Sequence, residues 1–81
     1  MMIRVHVKLF ATLRHYRPGL GIGEAFPVSL PEGTTVEGLI QQLNLPVDEV
    51  KLVFVNFLAK GRDHVLCDGD ELGIFPPVGG G

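Results

Sequence analysis

Residues 3 to 10, Ile-Arg-Val-His-Val-Lys-Leu-Phe, alternate apolar and polar side chains until the last position. Ile3, Val5, Val7 and Leu9 fall on one face, with Arg4, His6 and Lys8 on the other, the period of a strand buried on one side. His6 reads as a solvated histidine on the polar face. Phe10 breaks that face at the strand end and reads as a cover for a sheet edge or for a partner site. Phe26-Pro27-Val28-Ser29-Leu30 alternates again, with Phe26, Val28 and Leu30 inward. Proline cannot donate to a ladder, so Pro27 predicts an edge strand, paired back on the first as an antiparallel hairpin. Between the two, Ala11 to Tyr16 has room for one helical turn, closed by Pro18-Gly19. Gly19, Gly21 and Gly23 follow without the Lys-Ser/Thr of a phosphate loop or the spacing of a dinucleotide fingerprint, and are read as a plain loop.

After the turn at Pro31-Glu32-Gly33 the period lengthens. Val36, Leu39, Ile40 and Leu43 keep i, i+3, i+4, i+7 spacing and predict one helix with a single apolar stripe. Thr34 as N-cap with Glu37 three residues on predicts a capping box, and Asn44 with Pro46 the stop. Gln41 and Gln42 face water. Gly38 costs such a helix up to ~1 kcal/mol relative to alanine and reflects either a close approach or simple tolerance. The run from Val50 to Asn56 is almost continuously apolar, which predicts a central strand buried on both faces. Phe57-Leu58-Ala59 and Gly61-Arg62-Asp63-His64 read as short extended pieces. A turn at Asp68-Gly69-Asp70 introduces the last strand, Glu71 to Phe75. The order predicts an α+β domain over residues 1–75, one helix crossing a small mixed sheet, with the first and last long strands adjacent at its centre. A tail over 76–81 then leaves from a rigid sheet edge.

Length and composition narrow the function classes. Eighty-one residues, 46% of them hydrophobic, suffice for one small core and leave little for a deep, self-contained active site. A net charge of −2 provides no basic field for nucleic acid or anionic lipid. No apolar run approaches the ~20 residues of a membrane span, and the alternating first ten residues do not read as a signal peptide. The expected compartment is the cytoplasm. Cys67 is the sole cysteine, so no intrachain disulfide is possible. Its acidic neighbours disfavour the thiolate, and it reads as an inert thiol beside a turn. Asp68, Asp70 and Glu71 lack the ligand pattern of a calcium loop, and His15 and His64 lack metal-ligand spacing, so no metal site is expected.

The final stretch, Phe75-Pro76-Pro77-Val78-Gly79-Gly80-Gly81, has a different character. Two prolines stiffen its start, and the terminal glycines leave a thread without side chains. Six residues beyond Phe75 reach about 20 Å when extended, enough to enter another protein's pocket. A frayed terminus or an appended glycine scar is the plainer reading of the same residues.

Leu9-Phe10-Ala11-Thr12-Leu13-Arg14, Val55-Asn56, Asp68-Gly69-Asp70-Glu71-Leu72 and Phe75-Pro76-Pro77-Val78 before Gly80-Gly81 together resemble the MoaD/ThiS sulfur carriers, in the family's order and over nearly the whole chain. The match is most similar to the small subunit of molybdopterin synthase. The resemblance implies a β-grasp, ubiquitin-like fold. It implies that Gly81, with Gly80 beside it, is the reacting end: its carboxylate is adenylated, then converted to a thiocarboxylate that donates sulfur in molybdopterin synthesis. The implied partners are an adenylating enzyme related to ubiquitin-activating enzymes, the large synthase subunit and a persulfide sulfur donor. ATP is used by the activating partner, and no cofactor is bound by the carrier. Phe10, Phe57, Leu58, Phe75, Pro76, Pro77, Val78 and Gly79 are the candidate partner contacts, several of the aromatics being equally plausible core. Arg14 either pairs with acidic groups on a partner or is solvated. Two positions depart from the family pattern: Phe57, where relatives have glycine or a polar residue after Val-Asn, and the third glycine, Gly79. The same carrier chemistry feeding another acceptor (thiamine thiazole, a tRNA base), or a ubiquitin-like conjugation or binding module, are the alternatives.

Overall fold

Five strands form one mixed sheet in the order β2-β1-β5-β3-β4. They are β1 (Met2–Leu9), β2 (Ala25–Pro31), β3 (Leu52–Val55), β4 (Leu58–Ala59) and β5 (Glu71–Phe75). A computed structural model describes residues 1–77 of the chain. β1 runs parallel to β5 and antiparallel to β2, and β3 is antiparallel to both β5 and β4. The alternation read along β1 is realised without exception, Ile3, Val5, Val7 and Leu9 being buried and their neighbours exposed. Helix α1 (Val36–Gln42) crosses the inner face. Its Val36, Leu39 and Ile40 close the core with Val5, Val7, Leu30 and Ile74, and Leu43 packs against that cluster half-buried. Ala11–Tyr16 forms the expected turn as a 3-10 helix, with Leu13 inward. No helix among the described residues is long and apolar enough to cross a membrane.

Pro27 does mark an edge, and the ladder shows why. The amides of Arg4 and His6 point to the β5 side, donating to Asp68 Oδ1 (2.8 Å) and to the Asp70 carbonyl (2.9 Å). Their partners on β2, Ser29 and Pro27, are therefore non-hydrogen-bonded pairs whose backbone groups face outward. Pro31, opposite Met2, shares that parity. Two of the outward positions thus have no N–H, and the outward carbonyl of Ser29 accepts Gln42 Nε2 at 3.1 Å. A neighbouring strand finds few free groups there.

Three expectations change. The N-cap is Thr35, one residue later than expected: its Oγ1 accepts from the Gly38 N–H at 3.2 Å. The hydroxyl of Thr34 instead donates to the Pro31 carbonyl at 2.6 Å. Glu37 is one place short of the capping-box position and reaches Arg62 (3.2 Å). Segment 61–64 is a turn, not an extended piece. Its carbonyls at His64 and Arg62 take the orphan N–H groups of Val36 and Glu37, both at 2.9 Å. Gly38 marks a close approach, because a Cβ there would lie 2.9 Å from the Thr34 methyl.

β3 is also neither central nor buried on both faces. Leu52 is 42% exposed and Phe54 half-buried, while Val53 and Val55 point inward. One helix covers only one side of the sheet, so the apolar run reflects an apolar outer face. The central strand is β5, between β1 and β3. The chain therefore leaves toward its C-terminal residues from the middle of the sheet, not from an edge.

Candidate functional site

The outer-face positions of β5 are Glu71, Gly73 and Phe75, beside His6 and Lys8 of β1, Phe10 just after it and Phe54 of β3. Gly73 is the low point. A Cβ there would lie 3.2 Å from Phe10 Cε2 and 3.4 Å from Phe75 Cε1. The space it leaves is filled by those two rings, stacked with centroids 4.3 Å apart and planes 1° from parallel. Phe54 meets Phe75 edge-on at 5.6 Å, the other arrangement aromatic pairs favour. Together with Phe57 these side chains line a groove of about 590 Å³ across the uncovered face, with Lys8 and Glu71 as its charged members and His6 beside them.

The root of the tail is held on both sides. The Phe10 N–H donates to the Ile74 carbonyl (3.1 Å) and the Lys51 N–H to the Phe75 carbonyl (2.8 Å). Pro76 and Pro77 have no N–H to continue the ladder, so β5 ends at Phe75 for a covalent reason. Pro76 is half-buried and Pro77 exposed. Val78, Gly79, Gly80 and Gly81 lie outside the described residues, and so does every expectation placed on them.

The candidate contacts divide into two faces. Phe10, Phe75 and Phe57 meet at the groove. Leu58, 63% exposed, pairs with inward-facing Val55 and so lies on the opposite side of the sheet from the aromatics. Arg14 is half-buried, and its Nε is buried without a hydrogen-bond partner. Cys67 is exposed. Among the described residues no three His, Cys, Asp or Glu side chains gather as a metal set.

Sequence reading passed over Phe54, Lys8 and Gly73 as groove residues, although the period of β1 and β5 places Lys8 and Gly73 on the outer face with Phe10 and Phe75. It also passed over the pairing of Asn56 with Asp70. Asp70 is only 8% exposed, and its carboxylate accepts from Asn56 Nδ2 (2.9 Å) and from the Cys67 N–H (2.8 Å). The Asn56 Oδ1 accepts in turn from the Glu71 N–H at 3.0 Å. A buried carboxylate satisfied in this way is stable in place, and it ties the β3–β4 turn to the turn that starts β5.

Stacked rings on a concave sheet face, beside a clamped strand end, offer docking area rather than acid–base chemistry. Comparisons with known proteins place the chain in a family. The model of the ThiS family matches residues 7–81. Among solved structures, a Pyrococcus furiosus protein provisionally named molybdopterin converting factor, subunit 1, is 30% identical, with a TM-score of 0.74 over 94% of this chain and 99% of that one. The small archaeal modifier protein 1 of Methanosarcina acetivorans is 27% identical, with a TM-score of 0.70 over 100% of this chain and 99% of its own. The ubiquitin of Caldiarchaeum subterraneum, 14% identical, shares the fold with a TM-score of 0.63 over the full length of both chains. A search of the curated proteins finds no match. The uncovered aromatic face, the β-grasp topology and a family match that runs to the last residue lead to one assignment: the chain belongs to the ThiS family of ubiquitin-fold sulfur carriers.

Proposed function

We propose that this chain carries sulfur on the carboxylate of Gly81 for molybdopterin synthesis. The observation that carries the reading is the Phe75-Pro76-Pro77-Val78 collar before the glycines, rooted in the central strand of a ThiS-family fold. A terminal carboxylate has a pKa near 3.5, so it is anionic at neutral pH and a poor electrophile. Activation comes first: an adenylating enzyme transfers AMP from ATP to the glycine carboxylate. The terminal sulfur of a persulfide then attacks the acyl adenylate and displaces AMP, giving an acyl disulfide. A second thiol cleaves its S–S bond, becoming a disulfide with the donor and releasing the thiocarboxylate for an acceptor subunit. Glycine at positions 80 and 81 suits narrow channels in both partners. The body docks by its outer face, where Phe10, Phe54 and Phe75 present apolar area next to the tail root, and Lys8 favours an acidic rim on the partner.

A second reading has its own support, the 27% identity to a protein named as a small archaeal modifier. In that reading a lysine amine attacks the same acyl adenylate and displaces AMP, so that an amide forms instead of a thiocarboxylate. One experiment separates the two. The protein is incubated with the adenylating enzyme of its own organism, ATP, a persulfide donor and a thiol reductant, and the intact chain is weighed. A gain equal to sulfur replacing one oxygen, lost on deletion of Gly81, supports the carrier. A lysine-linked adduct without that gain supports the modifier, and an unchanged mass with a competent enzyme sinks both. Adding the large synthase subunit and the pterin precursor then tests the pathway.

A further inference from the structure

Phe57 is unfavourable to the free chain in two ways. Its φ of +72° follows an Asn56 at +51°, making the two-residue β3–β4 connection a turn with both central residues left-handed. Asparagine suits the first place of such a turn, but the second is where glycine is preferred, because a Cβ is strained there. The ring is also 86% exposed, although it lines the groove. Neither feature stabilises the isolated fold.

The turn is nonetheless held firmly. Besides the side-chain bonds of Asn56 to Asp70 and to the Glu71 amide, the Asn56 N–H donates to the Glu71 carbonyl at 2.8 Å. Three bonds from one residue pin the turn to the start of the central strand, and Asp70 is itself anchored by the Cys67 amide. Ala59, paired with Phe54 on the outer face, contributes no bulk beside the ring. Aromatic surface runs from Phe57 through Phe54 to Phe75, where the tail begins. A protein that closes over the tail root and this face therefore meets Phe57 as a fixed, protruding ring.

We infer that Phe57 is the partner-selecting anchor of this chain, seated in an apolar pocket of the adenylating enzyme, with Asn56 and Asp70 as positioning residues that aim it. The inference rests on the carrier reading above. It names the adenylating enzyme because activation precedes either fate of the tail. A ring held out at a cost to the free chain is compensated only when it is buried in a complex, and buried aromatic anchors dominate interface energetics.

The test uses the whole chain, the adenylating enzyme of the same organism and ATP, with pyrophosphate release followed at varied carrier concentration. Phe57→Gly raises KM by ~10-fold or more, the scale of a lost anchor, and leaves kcat unchanged. Its thermal midpoint is no lower than that of the parent, since glycine accepts the left-handed φ. Phe57→Leu restores most of the affinity. Asn56→Gly, which keeps the turn but loses the side-chain latch, raises KM in the parent and adds nothing in the Phe57→Gly background. Equal KM for the parent and Phe57→Gly overturns the inference. So does an Asn56→Gly effect of the same size in both backgrounds. A dimer of the parent that disappears in Phe57→Gly, seen by sedimentation, also overturns it by assigning the ring to a second copy. A parent that is not adenylated removes the carrier reading and this inference together, whereas an adenylated parent with an unchanged variant removes the inference alone.

Discussion

At the scale of single residues, the two ends of α1 show how a backbone position dictates its side chain. Asn44 has φ +59°, the Leu45 N–H donates to the Ile40 carbonyl (3.2 Å) and the Asn44 N–H to the Gln41 carbonyl (3.0 Å). That is a Schellman closure, in which the left-handed residue is glycine or asparagine. Asn44→Gly should hold the thermal midpoint, and Asn44→Ala should lower stability by about 1 kcal/mol, the cost of a Cβ in that region. At the other end Gly38→Ala should destabilise despite alanine's better helix propensity. Thr34 is held by its bond to Pro31, so its methyl cannot easily clear a new Cβ. Thermal and denaturant melts of the three variants check both statements. Tyr16, the single tyrosine, donates its hydroxyl to Glu49 Oε2 at 2.9 Å, and this bond holds its pKa above the ordinary 10.0. The folded chain therefore keeps the phenol proton more tightly than the unfolded one. The contribution is present below the unfolded tyrosine's pKa and is lost as pH rises through the higher folded value. Titration of phenolate absorbance should show a midpoint above 10.0 that Glu49→Gln brings down.

Among the elements, β2 and β4 decide how this sheet avoids growing. β4 is two residues long, and β2 turns two prolines and a carbonyl covered by Gln42 toward solvent. Edge strands with free donors recruit other strands, and prolines at outward positions remove the donors. Pro27→Thr combined with Gln42→Ala restores an outward N–H and uncovers the Ser29 carbonyl. The double variant should form a concentration-dependent dimer in sedimentation velocity that the parent does not form. A double variant as monomeric as the parent shows that Pro31 and the strand's shortness are sufficient protection. β2 is guarded and β4 is only two residues long, whereas the uncovered face carries the aromatic groove.

For the whole molecule, a core this small makes each of its members expensive to lose. Ile40 is fully buried between the helix and the sheet, and Ile40→Ala should cost about 2–5 kcal/mol. That is a large share of the ~5–15 kcal/mol that ordinary domains possess, so chemical denaturation should show the variant largely unfolded at modest denaturant. The outer face behaves differently. Phe75→Ala should cost less, because Phe75 is half-buried, yet it removes both the Phe10 stack and the Phe54 edge contact at the tail root. The core and the proposed docking face thus lie on opposite sides of one five-stranded sheet.

Much of this was legible along the chain because it depends on near neighbours. The period of two through Ile3–Leu9 set β1 and its inward face, Pro27 placed β2 at an edge, and the 3.6 period from Val36 set the helix. The order of elements, with the collar and glycines at the end, identified the family. Tertiary contacts decided the rest. The helix cap moved to Thr35 because its free N–H groups found the carbonyls of Arg62 and His64, which are remote in sequence. An apolar run such as Val50–Val55 reads the same whether a second layer covers its outer face or not, and only the packing of the described residues, with α1 on the inner face, shows that none of them does. Phe57 and Leu58 look equivalent as neighbours, yet the turn at Asn56 leaves them on different faces. Periodicity is written residue by residue; which orphan amide meets which carbonyl, and which face stays bare, emerges only when distant segments pack.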